Sequence, residues 1–314
     1  MSRRLAFPLS LIALVWAPGA LAGGARAPVL PGTHCTVLPA DNPWNQRVDG
    51  LPVAGGSAGL IATIGNGSPV HPDFGTVYND AANGIPFAIV TRRTRRVPVS
   101  FTYAGESDGH RYPLPPNMAI EGGARSSGDR HVIVVDRDTC TDYELYAAYP
   151  HAGGRRWSAG SGAIFNLRSD RLRPAGRTSA DAAGLPILPG LARYDEVSHG
   201  AIDHALRFTV PCTAPRYVYP ARHDTSGGRP DCPPMGTRVR LKASVDIARL
   251  PRQARIVAAA LKRYGMIVAD NGSPWYISGA PNRRWNDGEL HELNRLSGHD
   301  FEVVDTRSLP RPRH

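Results

Sequence analysis

GDRHVIVVD (residues 128–136) and DYELYAA (142–148) decide the fold, and DHALRFTV (203–210) and TRVRLKAS (237–244) repeat their pattern. Side chains on a strand point alternately to opposite faces, so each run presents one apolar and one polar face. His, Glu, Arg and Lys on a sheet face resist burial, and they are useful if that face floors a groove. Gly and Pro, 33 and 29 residues, punctuate the rest of the chain at short intervals. Short runs between turn signals favour an all-β, strand-rich protein over alternating strands and helices. The expected architecture is a jelly-roll or concanavalin-like β-sandwich with long loops and two small C-terminal helices.

Residues 1–22 read as a signal peptide. Arg3 and Arg4 precede an apolar stretch, and Ala20-Leu21-Ala22 has the small-residue pattern of a cleavage site. Pro8 and Pro18 interrupt that stretch, and no other segment is apolar enough to span a bilayer. Residues 23–314 are expected to form one exported β-sandwich domain with helical additions, secreted or periplasmic. Removing Arg3 and Arg4 takes Lys plus Arg from 37 to 35 against 27 acidic residues, a net of +8. Such a balance attracts anionic surfaces, but without a dense Lys/Arg tract nucleic acid is not an expected partner.

Four cysteines, Cys35, Cys140, Cys212 and Cys232, suit an oxidising compartment and lack the C-x2-C spacing of a zinc site. Three connectivities exist for four cysteines. The favoured pairs are Cys212–Cys232, which pins the loop holding His223, and Cys35–Cys140, which ties the N-terminal region to the sheet.

A helix is expected from Pro251 to a stop at Gly265, with Ala254, Val257, Leu261 and Tyr264 on its apolar stripe. A shorter one runs over 289–296 after Asn286 or Asp287. Asp270-Asn271-Gly272 reads as a tight turn joining strands 266–269 and 275–278. Residues 151–190, Gly-rich and without clear periodicity, read as a functional surface loop or a packed covering lid.

Parity sorts the chemistry-bearing residues. Arg238, Arg240 and Lys242 share one strand face, a row of cations suited to gripping carboxylates or hydroxyls of an extended glycan. Glu144 shares a face with Tyr146, and desolvation beside aromatics raises a carboxyl toward general-acid duty. His131 lies with Ile133 and Val135, and His204 with Leu206, Phe208 and Val210, a parity that also fits core histidines. Arg207 lies on the opposite face from His204. His223 follows Tyr217 and Tyr219 into the disulfide loop. Asp181, Asp195, Glu196 and Asp270 are candidate second carboxylates, since a glycosidase needs two. Trp157, Tyr194 and Trp275 are candidates for sugar stacking. Asp136, Asp138 and Asp142 are close enough to suggest calcium, but an Asp-rich turn is the favoured reading and no cofactor is expected. G-x-S-x-G, H-E-x-x-H and Walker signatures are absent.

The runs ADNPWN, GDRHVIVVD, TSADAAGLPILPG, HALRFTV and YGMIVADNG resemble those of a family of uncharacterised secreted bacterial proteins. The resemblance spans most of the mature chain and implies a single exported domain; it implies nothing about mechanism.

The function expected from sequence is cleavage of glycosidic bonds in an extracellular polysaccharide, with hydrolysis slightly preferred. The catalytic candidates are Glu144, His204, His131, His223 and Asp181. The substrate-binding candidates are Arg238, Arg240, Lys242, Arg207, Tyr146, Tyr219 and Trp157. The alternatives are a lyase acting on an acidic, uronate glycan and a non-catalytic carbohydrate- or envelope-binding module.

Overall fold

A computed structural model describes residues 27–225 and 227–311; the proposed signal peptide lies outside them. The chain is strand-rich, 26% strand against 17% helix, with several sheets and few short helices, consistent with a β-sandwich. The largest sheet has six strands in the order His71–Asp73, Tyr276–Ser278, Leu206–Val210, Met266–Asn271, Arg238–Leu241, Phe301–Val303. A second sheet of four orders Ser161–Asn166, Thr141–Tyr146, Val132–Asp136, Phe87–Val90. A third, also of four, orders Arg111–Tyr112, Val97–Phe101, Arg156–Ala159, Tyr149–His151. Jelly rolls are antiparallel architectures. Four pairings here are parallel, among them Leu206–Val210 with Met266–Asn271 and Phe87–Val90 with Val132–Asp136.

Alternation explains the layers. In Val132–Asp136 every residue is buried, the mark of a strand covered on both faces. Ile133 and Val135 join the main core with Leu206, Phe208 and Val268, whereas Val132 and Val134 pack with Val97, Val99 and Trp157 in a second core. The second sheet is therefore the middle one. Between it and the six-stranded sheet lies a stretch without regular strands, residues 179–193, buried throughout except Ala182. Its Ala183 N–H donates to Ala269 of the large sheet at 2.9 Å, and Ala192 donates to Ser278 at 3.1 Å. On its other side, Ile187 and Leu188 donate to the Glu144 carboxylate of the middle sheet at 2.8–2.9 Å. The end of the section expected as a surface loop or covering lid thus supplies an internal layer, because Leu185, Ile187, Leu188 and the adjoining Leu191 are worth more inside. Two strands, Arg156–Ala159 and Ser161–Asn166, precede it.

The helix expected after Pro251 is Arg252–Arg263, with Pro251 as its N-cap and Val257, Ala258 and Leu261 buried. The second is Asp287–His291, where Asn286 accepts from the Glu289 N–H, continued by a 3-10 turn over Glu292–Arg295. The turn at Asp270-Asn271-Gly272 does not close a hairpin. Leu206–Val210 inserts between the flanking strands and pairs with both. Residues 179–183 form a turn organised by the Ser179 hydroxyl, which accepts from Asp181 N–H and donates to the Leu185 carbonyl.

Both expected disulfides form: Cys35–Cys140, across 105 residues, and Cys212–Cys232, across 20. No helix among the described residues is long and apolar enough to cross a membrane.

Candidate active site

Leu206, Phe208 and Val210 point into the main core, so Arg207 and Thr209 take the other face. A bulge between Phe208 and Thr209 sets Thr209 opposite Asp270 rather than Ala269. One residue of slip moves a side chain to the other face of a sheet. The bulge therefore turns Asp270 onto the face of Arg207. Arg207, only 4% exposed, grips Asp181 of the internal layer through Nε at 2.7 Å and Nη2 at 2.9 Å. Nη2 also reaches Asp270 at 3.1 Å, and Nη1 donates to Ser278 Oγ at 2.6 Å. Asp73 pairs in register with Ser278 on the neighbouring strand.

This row opens into a cleft of about 620 Å3, lined by Asp129, Tyr146, Asp181, His223, Asp224 and Asp270 among others. Burial and then the neighbouring Asp181 carboxylate push Asp270 up to about 7, with Arg207 opposing them. Its side chain is still 21% exposed, so the carboxyl sits at the floor of a recess that solvent reaches. Asp73 is also raised, first by desolvation and then by Glu121. Tyr146 is raised by desolvation and by Asp129. His131 packs behind Tyr146 with ring centroids 5.9 Å apart. It is 1% exposed, and neither ring nitrogen has a hydrogen-bond partner.

The Cys212–Cys232 loop brings His223, Asp224 and Thr225 to the rim. His223 Nδ1 donates to the Ala182 carbonyl at 2.7 Å, which leaves Nε2 facing Glu106 at 3.9 Å. Thr225 donates to Asn271 at 2.8 Å. Replacing both cysteines by serine is expected to lower stability by about 3 kcal/mol for a loop of this size, measured as a shift in the urea midpoint. The same variant is expected to weaken ligand binding at the cleft, because it frees the segment that carries His223.

Of the residues singled out by sequence, Asp181, Arg207, His223, Tyr146 and Asp270 converge here, with His131 behind them. The others lie elsewhere. Glu144 is fully buried, and its carboxylate is committed to the Ile187 and Leu188 N–H groups. His204 is buried between the Ala205 carbonyl and Glu196, which also binds Arg193. Burial alone raises Glu196, but the charges of Arg193 and His204 outweigh it and hold the carboxyl low. Asp195 and Tyr194 stand beside this cluster, at a separate cavity of about 520 Å3. The cation row does not face the cleft. Arg238 donates to the Tyr264, Pro43 and Gln46 carbonyls and is pushed down to about 9 by burial. Arg240 holds Val48, Leu51 and Glu302, and Lys242 holds the His299 carbonyl. These cations tie residues 43–51 and the C-terminal strand to the sheet. Trp157 and Trp275 are core residues, and Tyr219 lies under Arg311, its centroid 5.0 Å away.

Asp136 and Asp138 shape the expected turn. Asp136 accepts from the Asp138 N–H, and Asp138 accepts from the Arg92 N–H. Among the described residues, the one group with metal-ligand proximity is His34, Cys35 and Cys140, and its sulfurs are bonded to each other. Asp142 instead points inward beside Glu144, fully buried, and the two carboxyls share a side-chain hydrogen bond. Burial and the adjacent Glu144 raise it well above an ordinary carboxyl. A carboxyl raised in the folded state favours folding below its unfolded value and loses that advantage as pH rises. The contribution of Asp142 to stability is therefore expected to fall as pH climbs above about 4. Asp142→Asn should flatten that slope, leaving stability unchanged at pH 3 and higher at pH 7, as urea titrations at the two pH values will show.

Sequence reasoning missed Glu106, Asp129 and Asp224 as cleft residues. Each lies in a turn or at a strand end, where an acidic residue reads as ordinary turn chemistry. A second cavity, about 530 Å3, lies on the other side of the internal layer and is lined by Phe165, Arg173 and Asp108. Its buried arginine is already paired with Asp108. No protein-family model, curated protein or solved structure matches the chain.

Proposed function

We propose that the cleft hydrolyses glycosidic bonds of an extracellular polysaccharide, with Asp270 as general acid. The observation that carries this is a solvent-reached carboxyl held near neutrality beside a carboxylate that Arg207 fixes. Two carboxyl groups in unlike environments divide acid from base. Asp270 gives its proton to the leaving glycosidic oxygen as the bond from the anomeric carbon breaks. Water supplies the new bond to that carbon and loses its proton to a carboxylate. Asp129, exposed and without a side-chain partner among the described residues, is the group assigned to that step. Arg207 and Asp181 are positioning residues that hold Asp270 in place. Tyr103 and Tyr146 offer ring faces along the wall.

Elimination from a uronate glycan has less support. It needs a free cation at the carboxylate of the sugar, and the candidates Arg238, Arg240, Lys242 and His204 are elsewhere and bonded. A binding module is disfavoured by a recess with converging titratable groups in place of a shallow aromatic platform. Export, secreted or periplasmic, is part of this reading, and two disulfides are compatible with it.

The test is incubation of the purified protein with a panel of neutral, acidic and amino-sugar polysaccharides. New reducing ends without unsaturated uronate support hydrolysis. Unsaturated product would assign elimination, and tight binding with no product from any polymer would assign a module.

A further inference from the structure

The chain carries a net charge of +10, yet this cleft has the opposite sign. Its lining includes Glu106, Asp129, Asp181, Asp224 and Asp270, and no lysine or arginine. Arg207 stands at its floor, and its guanidinium is used by Asp181, Asp270 and Ser278. His223 is the sole lining side chain able to become a cation. Asp129 and Asp224 have no side-chain partner among the described residues. A low-dielectric recess focuses such a field and concentrates ligands of the opposite sign.

His131 is a second and separate observation. By strand parity it projects from the middle sheet toward the large one, with Ile133 and Val135. It lies close enough to Asp270 to act on that carboxyl through its charge. Buried polar groups are rarely left without partners. Here both ring nitrogens are unpaired, and the ring packs against Tyr146 of the cleft wall. The tyrosine faces in the wall suit both a sugar ring and an ammonium group.

We infer that the cleft takes a cationic glycan, a polymer of amino sugars whose amines are free and protonated, with the ammonium groups seated between Asp129, Asp224 and Glu106. The inference rests on the glycan-cleaving reading of the same cleft. A uronate polymer meets only like charge here, and an N-acetylated polymer forfeits the ion pairs.

The experiment measures binding apart from turnover. Short glucosamine oligomers and their N-acetylated counterparts are titrated by calorimetry into the Asp270→Asn protein, at low and at high salt. The amine form is expected to bind at least about tenfold more tightly, with the advantage shrinking in salt as screening requires. Asp224→Asn in the otherwise wild-type chain is expected to reduce that ratio severalfold, which keeps the test open should the first variant fail to fold. Equal affinities, a preference for uronate oligomers, or no binding of the amine form overturns the inference. If some neutral polymer is nevertheless cut, hydrolysis stands and only the charge preference falls. If the amine form binds and nothing is cut, the preference stands and hydrolysis falls.

Discussion

Asp270→Asn is expected to lower kcat by about 10²–10⁴-fold, the contribution of a positioned general acid. Asparagine reproduces the neutral carboxyl in size and leaves Asp181 to Arg207, so the thermal midpoint should move little. Wild-type turnover should also fall above about pH 7, because Asp270 must hold its proton to act as the acid. Each further pH unit removes about nine-tenths of the protonated form. Reducing-end assays across pH 5 to 9 on the two proteins check both points. A wild-type rate that keeps rising past pH 8 would remove Asp270 from the role.

Arg207→Met should be among the most destabilising single changes in the chain. It strips the partner from Asp181, whose side chain is 0% exposed, and leaves a buried charge uncompensated. Breaking such a pair costs about 3–5 kcal/mol. A urea midpoint shift reads that loss directly. Adding Asp181→Leu should recover a large part of it, since removing both partners leaves no orphaned charge. Activity should not return in the double variant, because Asp270 then lacks the groups that hold it. Recovery of turnover together with stability would show that Arg207 and Asp181 serve the fold alone.

The strands were legible because alternation is a local signal. Val132–Asp136 and Arg238–Leu241 fall within the runs that announce them, and Thr141–Tyr146 begins one residue before its run. Four cysteines left three connectivities open, and the favoured one is the one that forms. The site was legible only in part. Parity separates Arg207 from the core residues of its own strand, but it does not say what the polar face meets. Arg238, Arg240 and Lys242 show the difficulty. Their spacing suggests an open cationic row, and the partners that cover it, carbonyls of residues 43–51 and Tyr264, lie far along the chain. Asp270 was a candidate carboxylate, but its turn signal gave no sign of the face it takes. The bulge that presents it depends on pairing with Leu206–Val210, about sixty residues earlier, and long-range pairing leaves no mark in a window of ten residues.

The internal layer has a consequence for how the protein opens. Residues 183–192 are bonded to the large sheet on one side and to Glu144 on the other. Freeing either side alone leaves buried N–H groups without acceptors. The amide hydrogens of Ala183, Ile187 and Leu188 should therefore exchange with solvent only when both sheets separate, at the slow rate of the central strands. Asp181 lies two residues before this stretch, in the same buried layer. The floor of the cleft thus keeps its shape for as long as the protein remains folded.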